Sequence, residues 1–439
     1  MSTRILQGDA LAMLRTLPGD SVDCCVTSPP YWSLRDYQVA GQIGLEPTPA
    51  AWIAVMVAVF AEVRRVLAPH GTCWVNVGDK YMSDGGSGHQ GNGNSCRAHR
   101  RHTQARLATA APAEIGLKSK DLCLLPERLA IALQDDGWYV RQRCIWAKAS
   151  PMPESTRDRP TTDFEHVWML TKSESYYFDS FAVMTPTTGG AHSRGNGRTP
   201  KGNRTASGSG TRNNDSFGIA VNERLAARNL RSVWRLTGAP FADEKCLACG
   251  TYYDAREKRH LARTEDWKLI CKCGRSDVWL AHFATFPSAL PELCIRASTP
   301  ERGCCAWCGV PIDRIVERPR VGDWNPDPVN KHKLGAVNGA IVKNAATGRL
   351  GRGAGWREND AIPAPRHTGW RECCPAAQGA TRPAVVLDPF GGAMTTALAA
   401  ERLGRAALCI ELNGDYIGMG EERLARDRAK REAAADAEK

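Results

Sequence analysis

Residues 384–412 confine the chain to a small set of folds. "AVVLDPFGG" (384–392) is an apolar run that breaks into a glycine turn. "TTALAAERLG" (395–404) has helical character and stops at Gly404, and "RAALCIEL" (405–412) is a second apolar run. Two short apolar strands joined through a helix pair in parallel by a right-handed crossover, and both faces of such a sheet are covered. The same alternation recurs at the other end of the chain. Val22–Thr27 reads as a strand, and Ala51–Leu67 as a helix that Pro69-His70-Gly71 ends. Thr72–Val77 reads as a strand stopping at Gly78-Asp79, Leu122–Asp136 as a helix and Tyr139–Trp146 as a strand. The last residues read as a helix that frays into a charged tail. The expected fold class is α/β, a doubly wound Rossmann-like sheet built from both termini with the middle of the chain inserted.

The sheet's contents follow from composition. A chain of 439 residues can bury one large core and carry appended modules. Its formal charge is +11 and its pI about 9.0, which favours a polyanionic partner such as nucleic acid. Lys and Arg far outnumber acids between Thr185 and Arg235, a stretch whose first part is rich in Gly and Asn and reads as flexible. Residues 83–112, rich in Gly, Ser, His and Arg, read as a mobile loop. The N-terminus has no basic-then-apolar signal pattern, and the longest apolar run, Ala50–Ala61, is too short to span a bilayer. A soluble cytoplasmic protein with no membrane partner is expected.

"VDCCVTSPPYWSLRDY" (22–37) runs a strand straight into two prolines and two aromatic rings. Pro29 has no N–H and stops ladder pairing. A stiff Ser28-Pro29-Pro30-Tyr31 turn at a strand end suits holding a small planar group against a ring, although an ordinary strand-terminating loop has the same composition. At the other end of the chain, Asp388 closes a strand before a glycine turn and a helix, whose first N–H groups are free and carry partial positive charge. Glu411 ends the next strand, 23 residues later, where an acid can accept hydrogen bonds from ribose hydroxyls. The turn Phe390-Gly391-Gly392-Ala393-Met394 is not G-x-G-x-x-G, and no lysine follows it to grip phosphates. S-adenosylmethionine, which carries a carboxylate and no phosphate, is therefore favoured over a dinucleotide or a triphosphate.

Seventeen cysteines are many for a reducing compartment, and nine of them cluster, which argues for metal over disulfides. Cys246-x2-Cys249 and Cys271-x-Cys273 form two knuckles separated by 21 residues, a set that suits structural zinc. Basic and aromatic residues lie between them: Tyr252, Tyr253, Arg256, Lys258, Arg259, His260 and Trp267. Cys305, Cys308, Cys373 and Cys374 form a second candidate set, with Cys304 as an alternative to Cys305. The 64 residues between Cys308 and Cys373 resemble a surface excursion closed by a metal. Cys24 and Cys25 read as strand packing, and His282 as a packed or hydrogen-bonding residue.

Several blocks in one order resemble the amino-methylating DNA methyltransferases of the permuted β group, especially bacterial and phage-borne members. "TSPPYW" looks like their catalytic motif and "DPFGGAMTT" like their cofactor motif. Residues 137–179 and "HFATFPSALPELCIRASTP" (282–300) match further blocks, so the likeness covers roughly 1–180 and 280–425. The resemblance implies a catalytic half at 1–184 and a target-recognition insertion with a zinc ribbon at 185–280. It implies a return to the core at 281–302, a second cysteine insertion at 303–376, a cofactor half at 377–425 and a charged tail at 426–439. Two departures stand out: Ala393-Met394 replaces a small serine and a glycine, and Lys148-Ala149-Ser150 replaces KPN. Met394 is expected to narrow the turn.

The resemblance also implies roles. Ser28 and the Pro29 carbonyl would hold the target amino group within the Ser28–Tyr31 turn. Tyr31, helped by Trp32, would stack on a base flipped out of duplex DNA, which offsets a flipping cost of a few kcal/mol. Asp388, Phe390, Gly391, Gly392, Thr395 and Glu411 would form the cofactor pocket, with Asp9 near the adenine and Phe286 and Pro287 over the methionine part. Acceptors at the amino group draw its N–H bonds out of plane and localise the lone pair, so no cysteine nucleophile is needed. Serine at the first motif position favours cytosine N4 over adenine N6. A lapsed, zinc-containing DNA-binding scaffold is the reading from a different class. The expected setting is the cytoplasm of a prokaryotic or phage-infected cell.

Overall fold

Eight strands make one sheet: β1 (Thr3–Gln7), β2 (Val22–Thr27), β3 (Leu67–Val77), β4 (Tyr139–Lys148), β5 (Phe164–Thr171), β6 (Val233–Leu236), β7 (Val385–Asp388) and β8 (Ala406–Glu411). Their order is β1-β8-β7-β2-β3-β5-β4-β6. β5 runs antiparallel to both neighbours, and every other pair is parallel. Strands from the two ends of the chain thus meet at β7 and β2, where Val386 pairs with Cys24 and Leu387 with Cys25. The computed structural model describes residues 3–37, 39–82, 116–151, 153–186, 227–237, 244–246, 248–253, 257–258, 260–264, 268–276, 279–281, 286–317, 365–371, 373–375 and 379–437. The loop expected at 83–112, most of the stretch 185–215, and Arg256, Arg259, Trp267 and His282 lie outside them.

β2 is buried at all six positions, because helices cover both faces of the sheet. On one face lie α1 (Ala10–Arg15), α2 (Pro49–Val66) and α3 (Leu125–Asp135). Trp52, Met56 and Phe60 of α2 and Leu129 and Leu133 of α3 share a core with Cys25, Cys73, Val75 and Leu387. Each such fully buried side chain contributes about 1.5–3 kcal/mol relative to exposure. On the other face lie α4 (Ala289–Ser298) and α5 (Thr395–Arg402). There Trp74 Nε1 donates to Ser298 Oγ at 2.8 Å and Thr396 Oγ1 donates to the Val26 carbonyl at 3.2 Å. α5 ends as its sequence predicts: Gly404, at φ 78°, and Arg405 send N–H bonds back to Glu401 and Ala400. α6 (Gly414–Ala437) follows β8.

Two boundaries differ from the sequence reading. Pro69-His70-Gly71 does not separate helix from strand, because β3 begins at Leu67 directly behind α2. Val22 pairs with Leu67 but Cys24 with Thr72, so the extra residues are taken up as an irregularity at the strand's start. α3 begins at Leu125, since Leu122 bridges back to Tyr81 and Leu124 adopts φ 55°.

Asp23 is the acid inside the buried β2. Arg382 grips it with two bonds of 2.6 and 3.0 Å, His70 Nε2 lies at 3.2 Å, and the Val385 N–H donates at 2.7 Å. Burial opposes ionisation, but the bonds from His70, Arg382 and Val385 outweigh it and hold the carboxyl at about 2.

The chain divides into two compact units. The one just described comprises Met1–Asp179, Arg231–Ile312 and Glu372–Lys439, and the other Ser180–Leu230 and Asp313–Arg371. The stretches assigned from sequence to separate insertions, 185–280 and 303–376, are each split between the two units. In the second unit Asp313–Glu317 pairs antiparallel with Arg366–Arg371, and Arg314 stacks on Trp370 at 4.6 Å.

Candidate active-site cleft

Where β7 feeds β8 on one side and β2 feeds β3 on the other, the loops at the strand ends diverge and leave a cleft. Its empty space is about 880 Å³ including the mouth, room for a nucleoside-sized ligand. Gly8 and Asp9 after β1, Ser28 and Pro30 after β2, Asp388–Gly392 after β7 and Glu411–Asn413 after β8 line it. Tyr37, Ile43, Phe286 and Tyr416 add apolar surface. Three carboxylates line the cleft, and none of its described lining residues is Lys, Arg or His.

The carboxylates differ in what they hold. Asp388 is buried and accepts from Thr27 Oγ1 (2.7 Å), Thr396 Oγ1 (2.7 Å) and the Phe390 N–H (3.1 Å). Burial raises its pKa, and those bonds oppose the rise. Its side chain ties β2, α5 and the glycine turn together. Glu411 accepts from the Gly392 N–H at 2.7 Å and the Asn413 N–H at 2.8 Å, and burial raises its pKa as well. Asp9 caps α1 through the Ala12 N–H at 2.8 Å. Thr395 lines the cleft and accepts from Arg423 at 2.8 Å. Phe286 lines the cleft whereas Pro287, buried beside it, does not.

Met394 does not narrow the cleft. It is fully buried, is absent from the lining, and lies at φ 57°, a conformation that suits glycine. Its thioether packs over Gly391, and any side chain at Gly420 of α6 would collide with it.

On the opposite wall, Ser28 and Pro30 line the cleft, while Pro29 is buried and neither Pro29 nor Tyr31 lines it. Trp52 Nε1 pins the Pro30 carbonyl at 3.0 Å. Ser28 Oγ donates to the Tyr31 hydroxyl at 3.1 Å, which donates to Glu165 Oε2 at 2.9 Å. The Tyr31 ring lies against Gly78, where an added Cβ would come within 2.7 Å. Trp32 gives no help to Tyr31 at a base: it is wholly buried, with its indole N–H on the Glu46 carbonyl at 2.8 Å. Burial pushes the Cys24 thiol up to about 12, in keeping with a packing role.

Cys246, Cys249, Cys271 and Cys273 converge, their sulfurs within 4.8 Å of one another. Cys305, Cys308, Cys373 and Cys374 do the same. The pairs at 3.7 and 3.5 Å in the first set and at 3.4 Å in the second approach the ~3.8 Å edge of a tetrahedral four-thiolate zinc site. Cys304 is no alternative ligand, because its sulfur turns away to Asp23 at 3.5 Å. The first set sits on α6: Lys245 pairs with Asp415 at 2.8 Å, and Arg426 donates to the Tyr252 carbonyl at 3.3 Å.

Sequence reasoning missed Thr27, Glu165, Tyr37 and Tyr416. Only Thr27 carried a local signal, a hydroxyl at the end of a strand otherwise buried. The other three are brought to the cleft by tertiary packing.

The sheet order and the acid-lined cleft define a methyltransferase-like α/β protein. A family model for N6/N4 DNA methylases matches residues 22–306, and the chain belongs to that family of DNA amino-methyltransferases. It is 38% identical over 296 residues to type II methyltransferase M.XycI of Xanthomonas campestris pv. cyanopsidis, covering 67% of this chain and 72% of the relative. It is 42% identical over 303 residues to M.SmaI of Serratia marcescens, covering 69% and 77%. Among solved structures, the cytosine-N4-specific PvuII DNA methyltransferase is similar at a TM-score of 0.45 and 15% identity, over 97% of this chain and 91% of that one. Among the described residues no helix is long and apolar enough to cross a membrane.

Proposed function

We propose that the chain transfers a methyl group from S-adenosylmethionine to the N4 amino group of a cytosine flipped out of duplex DNA, as the modification arm of a restriction–modification system. The observation that carries the donor is the lining of the cleft: three carboxylates and no cation among its described lining residues. Such a wall repels phosphates and favours a ligand bearing a sulfonium and an ammonium. Glu411, beside the glycine turn, would take the ribose hydroxyls, and Phe390, Tyr416 and Ile43 the adenine and its surroundings. S-adenosylmethionine supplies an electrophilic methyl carbon: as the amine nitrogen bonds to it, the S–C pair passes to sulfur, and the nitrogen then sheds a proton to water.

The chain's own part is to hold the amine. Ser28 Oγ and the Pro29 carbonyl supply acceptors, the Ser28-Pro29-Pro30 turn is stiff, and Trp52 fixes it from behind. The Tyr31 ring is the surface on which the base would stack. Cytosine over adenine rests on Ser28 at the first motif position. Surplus Lys and Arg, in a chain of net charge +11, supply the phosphate contacts. The eight clustered cysteines would hold two structural zinc ions and carry no chemistry.

Expression in a methylation-free host, followed by sequencing that distinguishes N4-methylcytosine from N6-methyladenine, tests this. N4-methylcytosine at one short sequence is expected. N6-methyladenine would overturn the base assignment, and unmodified DNA together with no S-adenosylmethionine binding would leave a lapsed scaffold.

A further inference from the structure

Glu165 lies near the start of β5, on the same edge of the sheet as the Ser28 turn. Its carboxylate accepts from Tyr31 Oη at 2.9 Å and from Asn76 Nδ2 at 3.0 Å, and it pairs with Lys148 Nζ at 2.7 Å. Lys148 and the Asn76 amide both favour the ionised form, and an ionised carboxylate only accepts hydrogen bonds. Tyr31 therefore commits its single hydroxyl proton to Glu165. The Tyr31 oxygen is left as an acceptor, and it takes the proton of Ser28 Oγ at 3.1 Å. Burial, and then the charge of Glu165, push the Tyr31 pKa far up, so the phenol keeps its proton throughout. At the end of this chain Ser28 Oγ has no proton left to offer. Its lone pairs remain, and Ser28 is the member of the chain that lines the cleft.

We propose that Glu165 is a positioning residue for methyl transfer: acting through Tyr31, it fixes the Ser28 hydroxyl as a hydrogen-bond acceptor toward the target amine. This rests on the reading of Ser28 as the group that holds the amine. The polarity matters because a base amino group presents two N–H donors and needs its lone pair free for the methyl carbon. A serine free to rotate would at times point its own proton at that nitrogen and compete with the methyl. A chain of bonds anchored on a carboxylate removes that orientation. Lys148, the part of the expected KPN block that this sequence keeps, holds the anchor in place.

The test compares Ser28→Ala, Tyr31→Phe, Glu165→Gln and the Tyr31→Phe/Glu165→Gln double variant by single-turnover methylation of duplex DNA. S-adenosylmethionine affinity, DNA affinity and melting temperature are measured on each. Glu165→Gln and Tyr31→Phe are each expected to slow transfer by about 100-fold with both affinities unchanged, and the double variant to be no slower than the worse single one. The proposal is overturned if Glu165→Gln transfers at the wild-type rate, if its loss tracks weaker ligand binding or lower melting temperature, or if the two losses multiply. Wild-type transfer by Ser28→Ala would instead overturn the underlying site assignment. Loss in Ser28→Ala with none in the other variants would remove the role of Glu165 alone.

Discussion

Thr27 Oγ1 donates a 2.7 Å hydrogen bond to Asp388 Oδ1, joining residues 361 positions apart in the chain. Thr27 is the last residue of β2, immediately before Ser28, and Asp388 is the last of β7, immediately before the glycine turn. The wall expected to hold the base and the wall expected to hold the methyl donor are thus fastened one residue behind the cleft. Asp388, which sequence reading assigned to the cofactor, uses its side chain for this seam.

Thr27→Val keeps the shape and deletes the bond. It is expected to destabilise the protein by about 1–3 kcal/mol, because a buried carboxylate oxygen loses a donor. Urea denaturation reads the loss, and a change below about 0.5 kcal/mol would mean that the other donors to Asp388 hold the seam alone.

Glu411 should give S-adenosylmethionine binding a pH dependence. Burial raises its pKa, so it protonates earlier on acidification than an ordinary carboxyl. Its charged form favours a cationic ligand, so affinity is full above that raised pKa and falls as the pH drops through it. Titration calorimetry across mildly acidic pH should show this, and Glu411→Gln should bind roughly tenfold more weakly with a flattened profile. An unchanged slope in that variant would assign the dependence to another group.

Asp23 sits at about 2 in the folded chain against an ordinary 3.8. A depressed carboxylate contributes stability that is present above the unfolded value and lost as the pH falls from about 4 toward 2, here about 2 kcal/mol. Arg382→Met leaves the charge buried and half-paired, at a cost of about 3 kcal/mol near neutrality. The gap between wild type and variant should shrink in denaturation curves taken at pH 3, and a gap independent of pH would refute the ion-pair account.

Met394→Gly removes a left-handed strain of about 1 kcal/mol but also a fully buried side chain worth about 2–5 kcal/mol. Net destabilisation of about 1–3 kcal/mol is expected, with S-adenosylmethionine affinity within about threefold of wild type. A large gain in affinity would restore the idea that Met394 obstructs the turn.

Metal analysis of the purified chain should find two zinc ions. Cys246→Ser and Cys305→Ser should each lose one and lower the melting temperature. A folded wild-type sample without zinc would exclude both sites.

The sheet was legible because its strands are short, apolar and separated by strong punctuation at Gly404, Gly391 and Pro29. The cysteine sets were legible because thiolate spacing is a local pattern; their convergence follows from it. The Pro69–Gly71 irregularity was not legible, since proline and glycine suit a bulge as well as a turn. Nor were Glu165 and Arg382, because a single charged residue reads as solvated surface until the partner that desolvates it is placed. Met394 was misjudged for a related reason. Its position in the motif was evident, but whether its side chain pointed into the cleft or under α6 depended on Gly420, 26 residues away.

That packing has a consequence for descent. With methionine at 394, position 420 admits nothing larger than a hydrogen, so alanine there must wait until 394 has shrunk. The two sites can drift only in that order, and kindred chains should show them changing as a pair.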